Sequence, residues 1–260
     1  MLTRILTALP LIAGFLVALF LASPTLWMGI MGLALFLGAL EWADLTGLGK
    51  GLGSIYAGVL TLASAALALY GQGSSWAYLL SLSFWLMAPW LLYRGTTFRA
   101  RPLLLAMGML VLVPTYVAIV DLRGQSPGLL LAVVGLVVIA DSAAYFSGRR
   151  FGRHKLAPSI SPGKTREGVA GAWVGVSVYA LVLALAWPEG LPVSWLPAML
   201  AAWALLFLSV VGDLMESWIK RQAGVKDSGN LLPGHGGVLD RIDSLTATLP
   251  AATLFYMWMQ

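Results

Sequence analysis

The chain has 260 residues, of which 59% are hydrophobic and only 10% charged, and its formal net charge is +5. A soluble domain carries about 25% charged residues, so this composition excludes a soluble enzyme and indicates a polytopic membrane protein. Cysteine is absent, which removes disulfides, thiolate nucleophiles and thiolate metal ligands together and leaves oxygen atoms and two histidines to hold any metal.

In chain order, apolar segments run over 5–22, 25–43, 53–71, 76–93, 102–120, 127–146, 168–187, 193–215 and 244–259. A helix of about 20 residues crosses the hydrocarbon core, and these segments approach or reach that length. The first is preceded by Arg4 and followed by "LASP", as in a signal peptide, but its apolar run is too long for a signal core and predicts a retained span. Stretches such as "LLLAVVGLVVIA" (129–140) have no polar stripe, so lipid or protein surrounds them rather than water. The expected fold is an all-α, polytopic membrane bundle of about nine transmembrane helices.

Basic residues orient such a bundle, because cytoplasmic loops carry the excess of Lys and Arg. Arg4 precedes the first segment, Lys50 follows the second, and Arg94, Arg99 and Arg101 follow the fourth. Six bases from Arg149 to Arg166 follow the sixth, and Lys220, Arg221, Lys226 and Arg241 follow the eighth. Fifteen of the sixteen bases therefore fall on one side, Arg123 being the exception, which predicts an inside N-terminus and an outside C-terminus.

The acids are concentrated at the same side. Asp141 lies near the end of the sixth segment, Asp213 and Glu216 end the eighth, and Asp240 and Asp243 open the ninth. Carboxylates beside hydrocarbon are costly and mark function. Asp213 and Glu216 are three residues apart, as are Asp240 and Asp243, so each pair shares a helix face and can offer two hard oxygen donors to a cation such as magnesium. Asp240 and Asp243 read equally well as caps of the ninth helix, with Arg241 snorkelling. The run "PGHGG" (233–237) just before them exposes backbone amides suited to phosphate at a helix N-terminus, so the cluster reads as a metal and polyphosphate site.

The polar segment "SGRRFGRHKLAPSISPGKTREG" (147–168) contains "GKT", but a P-loop needs glycine where Pro158 stands. Lys164, Thr165 and Arg166 remain ordinary phosphate-binding candidates, and the same charges suit anionic headgroups. Gly171 and Gly175 form a GxxxG expected to serve close helix packing. His235, between glycines, is assigned to phosphate contact; His154 is assigned no role. One histidine without cysteines builds no zinc site.

The run "SWIKRQAGVKDSGNLLPGHGGVLDRID" (217–243) resembles the signature of the phosphatidate cytidylyltransferases, the CDP-diglyceride synthetases, in the order and spacing of its serine, Lys-Arg, Lys-Asp, His-Gly-Gly and Asp-Arg-x-Asp elements. "GDLMES" (212–217) and "DSAAYFSGRRFGRHKLAPSISPGKTREG" (141–168) are similar to the bacterial members as well. Two positions depart from the bacterial pattern: Ala143 stands where it has glycine and Arg166 where it has tryptophan.

The resemblance implies a reaction of CTP with phosphatidic acid that gives CDP-diacylglycerol and pyrophosphate in bacterial phospholipid biosynthesis. It implies magnesium, with a second cation left open, and no nucleic acid. The whole chain, 1–260, would be one membrane-embedded catalytic domain of the cytoplasmic membrane, its polar loops at about 147–167 and 216–243 facing the cytoplasm, with a homodimer left open. On this basis Asp213, Asp240 and Asp243 are expected as magnesium ligands, with Glu216 and Asp141 beside them. Lys220, Arg221, Lys226 and Arg241 would meet the triphosphate, with Asp227 in the same catalytic set. Ser217, His235, Gly236 and Gly237 would line the phosphate cradle, and Lys164 and Thr165 would meet the phosphatidate headgroup. The rivals are a cation or metabolite transporter, for which neither internal repeat nor midplane charge is found, and a CDP-alcohol phosphotransferase, whose paired-aspartate run is missing.

Overall fold

A computed structural model describes residues 2–71, 75–98, 100–186, 195–231, 234 and 236–259. Arg99, His235 and the terminal Gln260 thus lie outside the described residues. Within them the chain forms α1 (Leu2–Leu21), α2 (Pro24–Leu45), α3 (Lys50–Tyr70), α4 (Ser75–Arg94), α5 (Arg101–Gln125), α6 (Pro127–Phe151), β1 (Lys155–Ala157), β2 (Ser161–Thr165), α7 (Arg166–Ala186), α8 (Trp195–Gln222) and α9 (Leu239–Met259).

Local chemistry sets the helix boundaries. Ser23 and Ser126 each accept a hydrogen bond from a first-turn amide, at 3.2 Å from Leu26 and Gly128, and each is followed by proline at the first helical position. Between α2 and α3 the chain turns through Gly47 and Gly49, both at positive φ (68° and 81°), a conformation that side chains disfavour.

Helices α2 to α8 are each long and apolar enough to cross a membrane. The ninth differs for a physical reason. α9 is enclosed by α8, α5, α4, α6 and α2, and the stretch Thr246–Leu254 is buried. Its threonine hydroxyls are satisfied within the helix: Thr246 donates to the Asp243 carbonyl, and Thr248 and Thr253 donate to carbonyls one turn back. A helix facing protein rather than lipid needs less apolar surface, which accounts for its polar content.

The Gly171/Gly175 reading holds. A Cβ on Gly171 would collide with Ser147, and one on Gly175 would sit 2.8 Å from the Ala143 methyl, so α6 and α7 touch through these glycines. Ala143, a departure from the bacterial pattern, is accommodated against Gly175.

Two segments read as loops are more ordered than expected. α6 continues to Phe151 and α8 to Gln222, which places Arg149, Arg150, Lys220 and Arg221 on helix ends. Between α6 and α7 the prolines of "APSISPGKT" break the helix and an antiparallel hairpin forms instead, with Lys155 opposite Thr165 and Ala157 opposite Ser161. This hairpin is the exception to the all-α expectation. Glu167 holds it in place, accepting from the Arg153 amide at 3.1 Å and meeting His154 Nδ1 at 2.6 Å, which gives His154 a part the sequence had not suggested.

Alternation of the helices is visible in contacts between their ends. Arg101 Nε donates to the Thr46 carbonyl at 3.2 Å, the Phe98 amide donates to Gln222 Oε1 at 2.8 Å, and Arg221 Nε reaches the Ile160 carbonyl at 3.4 Å. The C-terminal ends of α2, α4, α6 and α8 therefore gather at one end of the bundle. At the other end Arg123 donates to the carbonyls of Leu19, at 3.1 Å, and Ala22, and its guanidinium lies 5.2 Å from the Trp27 ring centroid. The exception to the charge pattern is thus a cap on the α1 C-terminus. Arg123→Ala is expected to lower the unfolding midpoint in detergent by an amount equivalent to about 1–3 kcal/mol, the range for hydrogen bonds to a charged group. Arg123→Lys, which keeps charge but loses the planar fork, should fall between, with turnover per folded molecule unchanged in both.

Candidate active site

The site grows from the contact between α8 and α9. The helices approach closely because Gly212 has no side chain: a Cβ there would lie 2.7 Å from the Asp243 carbonyl. Beside this contact Lys220 is buried, its Nζ 2.7 Å from Glu216 Oε2 and 2.6 Å from Asp240 Oδ1. The other oxygen of Asp240 accepts from the amides of Ser228 at 3.0 Å and Gly237 at 2.8 Å. One carboxylate thereby joins α8, the start of the 228–239 segment and the turn into α9.

An acid absent from the sequence expectations completes this junction. Glu41 of α2 is buried; its Oε2 accepts from Ser228 Oγ (2.8 Å) and the Leu239 amide (2.9 Å), and its Oε1 accepts from the Val238 amide (2.8 Å). Its signal was available, since Glu41 is a carboxylate inside the apolar segment 25–43. The consequence is a correction. The amides of Gly237, Val238 and Leu239 at the α9 N-terminus are taken by Asp240 and Glu41, so they form a carboxylate socket rather than an open phosphate cradle. Gly237 is required because a Cβ would collide with Ser228 Oγ and both Glu41 oxygens. Gly236 sits at φ 82°, where a Cβ would collide with Asp240.

A cavity of about 570 Å³ opens next to this junction. α6 lines it with Asp141, Tyr145 and Arg149, the hairpin with Lys164 and Thr165, α8 with Asp213, and α9 with Asp240, Arg241 and Asp243. Lys164 Nζ reaches across from the hairpin to Asp213 Oδ2 at 2.7 Å, while Ser217 Oγ donates to the other oxygen at 3.3 Å. Asp243 Oδ1 accepts from the Ser244 amide at 2.7 Å. Asp243 lies in the electrostatic field of Asp213, Glu216 and Asp141, and Asp141 in that of Asp213, Lys164 and Arg241.

The carboxylates pair across the helices rather than along them. Asp213 and Asp243 turn to the cavity, whereas Glu216 faces inward to Lys220, and its Oε1 is buried with no hydrogen-bond partner. Among the described residues no three acids or histidines lie close enough to ligate one ion. The donor chemistry still suits magnesium, which is commonly held by one or two carboxylates together with substrate phosphates.

The remaining expected residues serve other contacts. Lys220 is enclosed between its two acids and does not face the cavity. Arg221 ties the hairpin to α8 through the Ile160 carbonyl and bonds the Val225 carbonyl at 3.3 Å. Thr165 is buried and accepts from the Gly168 amide at 3.1 Å, which makes it the N-terminal cap of α7. Lys226 and Asp227 are exposed on the 223–231 segment and are not part of the cavity lining.

The Cytidylyltransferase family model matches residues 2–259. The chain belongs to this family. It is 43% identical over 259 residues to a phosphatidate cytidylyltransferase of Pseudomonas aeruginosa, covering 95% of this chain and 93% of that protein. It is 36% identical over 287 residues to the phosphatidate cytidylyltransferase of Haemophilus influenzae, covering 98% of each. A phosphatidate cytidylyltransferase of Bacillus subtilis is 48% identical over 128 residues, 47% of this chain and 46% of that protein. The hairpin lysine offers a test that separates site chemistry from scaffold. Lys164 and Asp213 are each about a quarter exposed (25% and 27%), and an ion pair this accessible contributes at most about 1 kcal/mol. Lys164→Ala is therefore expected to leave the unfolding midpoint nearly unchanged while lowering turnover on the order of 10²-fold, the effect of removing one charge-stabilising donor. Loss of stability in step with activity would assign Lys164 to the scaffold.

Proposed function

We propose that this chain transfers a cytidylyl group from CTP to phosphatidic acid, releasing pyrophosphate and forming CDP-diacylglycerol. The observation that carries this reading is the cavity, in which opposed acids (Asp141, Asp213, Asp243) and bases (Lys164, Arg241, Arg149) from four elements surround a space suited to phosphates, in a chain of this family. The lipid phosphate is already an anionic nucleophile, so no strong base is required, and the work of the protein is alignment and charge stabilisation.

In the reaction an oxygen of the phosphatidate phosphate attacks the α-phosphorus of CTP. The new P–O bond forms as the bond to the bridging oxygen breaks, and that oxygen leaves with its electron pair on pyrophosphate. Lys164 is held at Asp213 before substrates arrive and is within reach of the same space as Arg241, so it can exchange its carboxylate partner for a phosphate oxygen. Arg241 offers a planar fork to a second phosphate. Magnesium would be held by Asp213 and Asp243, with Asp141 nearby, and would neutralise triphosphate charge. Glu216, Lys220, Asp240 and Ser217 keep these groups in place rather than meeting substrate.

In this reading the end of the bundle that carries the basic residues faces the cytoplasm of a bacterial inner membrane. CTP then enters from water, while the two-tailed lipid enters from the bilayer between helices. The test is incubation of purified protein in detergent with phosphatidic acid, magnesium and labelled CTP. A liponucleotide is expected, abolished by chelator, and no covalent label should remain on the protein without lipid. Asp213→Asn and Asp243→Asn preserve size and should lower turnover by about 10²-fold or more with the folded fraction retained. Near-parent turnover of both at limiting magnesium would place the metal elsewhere.

A further inference from the structure

We infer that Glu41 is a positioning residue for this reaction: from α2 it fixes the register of the α9 first turn, and through it the placement of Asp240, Arg241 and Asp243 in the cavity. The inference rests on the cytidylyl-transfer reading. Glu41 touches none of the cavity itself, and its effect is transmitted by backbone.

The geometry is unusual in what it joins. A carboxylate inside an apolar helix is costly unless its oxygens are satisfied, and Glu41, only 8% exposed, accepts three hydrogen bonds, all from the 228–239 segment and the turn into α9. Ser228 is gripped twice, its amide by Asp240 at 3.0 Å and its hydroxyl by Glu41 at 2.8 Å. The far end of the segment is gripped by the same two acids, Gly237 by Asp240 and the amides of Val238 and Leu239 by Glu41. Two carboxylates, one from α2 and one from α9, therefore pin both ends of one loop. The negative charge of Glu41 also lies at the positive end of α9, where it is favourable.

Two glycines admit this side chain, and a third, on α2, admits the first residue of α9. A Cβ on Gly229 would lie 2.8 Å from Glu41 Oε1, one on Gly237 would collide with both oxygens, and one on Gly38 would lie 3.3 Å from Leu239 Cδ2. Part of the glycine content of "DSGNLLPGHGG" is thus explained by a carboxylate far away in the sequence. Releasing Val238 and Leu239 lets the first turn of α9 shift, and a displacement near 1 Å in reacting groups can lower turnover by about 10²-fold.

The test compares Glu41→Gln and Glu41→Asp with the parent in three measurements: kcat and KM for CTP, unfolding in detergent, and hydrogen exchange resolved by segment. Glu41→Gln keeps size but turns an amide NH2 toward backbone donors. It is expected to lower kcat by about 30- to 100-fold with KM for CTP within about threefold, as for a misplaced but still bound substrate. Exchange should accelerate at 228–240 and stay at parent levels in α5 and the middle of α8. Adding Ser228→Ala to Glu41→Gln should cost little more, because both act on one clamp. Should Glu41→Gln not fold, Glu41→Asp carries the same expectations at smaller size. Retention of more than half the parent kcat, or exchange that rises equally in all helices, overturns the inference. If the parent itself forms no liponucleotide, the reaction is wrong, and the exchange measurement still decides whether Glu41 positions α9.

Discussion

The site depends on one buried ammonium. Glu216 and Asp240 come within reach of each other at the junction of α8 and α9 only because Lys220 lies between them, at 2.7 and 2.6 Å. Burying a charge away from water is expensive, and the attraction between partners offsets it when geometry is close and the remaining lone pairs are used. Asp240 meets that condition, since its second oxygen holds the Ser228 and Gly237 amides. Asp240, at the cavity wall, thus has both oxygens engaged by the protein, while Asp213 and Asp243 line the same cavity beside it.

The rest of the bundle makes this arrangement rigid and accessible at once. α9 is enclosed by five helices, so its first turn has little freedom, and Glu41 fixes that turn from a third direction. α6 and α7 pack closely through Gly171 and Gly175 and carry the hairpin, which brings Lys164 over Asp213 from the opposite wall. Acids thus come from the helices and the cation that faces Asp213 comes from the hairpin. That division suits a reaction between two anionic substrates, because negative donors for a metal and positive donors for phosphates lie around one space.

Much of the fold was legible because lipid imposes simple rules. Nine apolar segments gave the helices, the spacing of bases gave the gathering of alternate helix ends, and Gly171 with Gly175 gave a close contact. What escaped notice depended on partners distant in the chain. Lys220 in a polar stretch reads as a phosphate ligand until Glu216 and Asp240 are seen on either side. The run at 233–237 reads as a phosphate cradle, but the amides of Gly237, Val238 and Leu239 are held by Asp240 and Glu41, and nothing local reveals a carboxylate almost 200 positions upstream. The hairpin was hidden by its brevity, three and five residues among prolines, in which neither alternation nor helical period can develop. Thr246, Thr248 and Thr253 carry no signal of their own in the sequence; they lie in the stretch Thr246–Leu254, which faces protein rather than lipid.

Unfolding of Lys220→Met in detergent, beside a variant that also carries Glu216→Gln and Asp240→Asn, tests the central claim most directly. If the ammonium is what permits the two acids to be buried, Lys220→Met alone should be destabilised by roughly 3–5 kcal/mol, and neutralising both acids should recover most of that loss. A single variant that unfolds within about 1 kcal/mol of the parent, in the range of an exposed pair, would contradict the account.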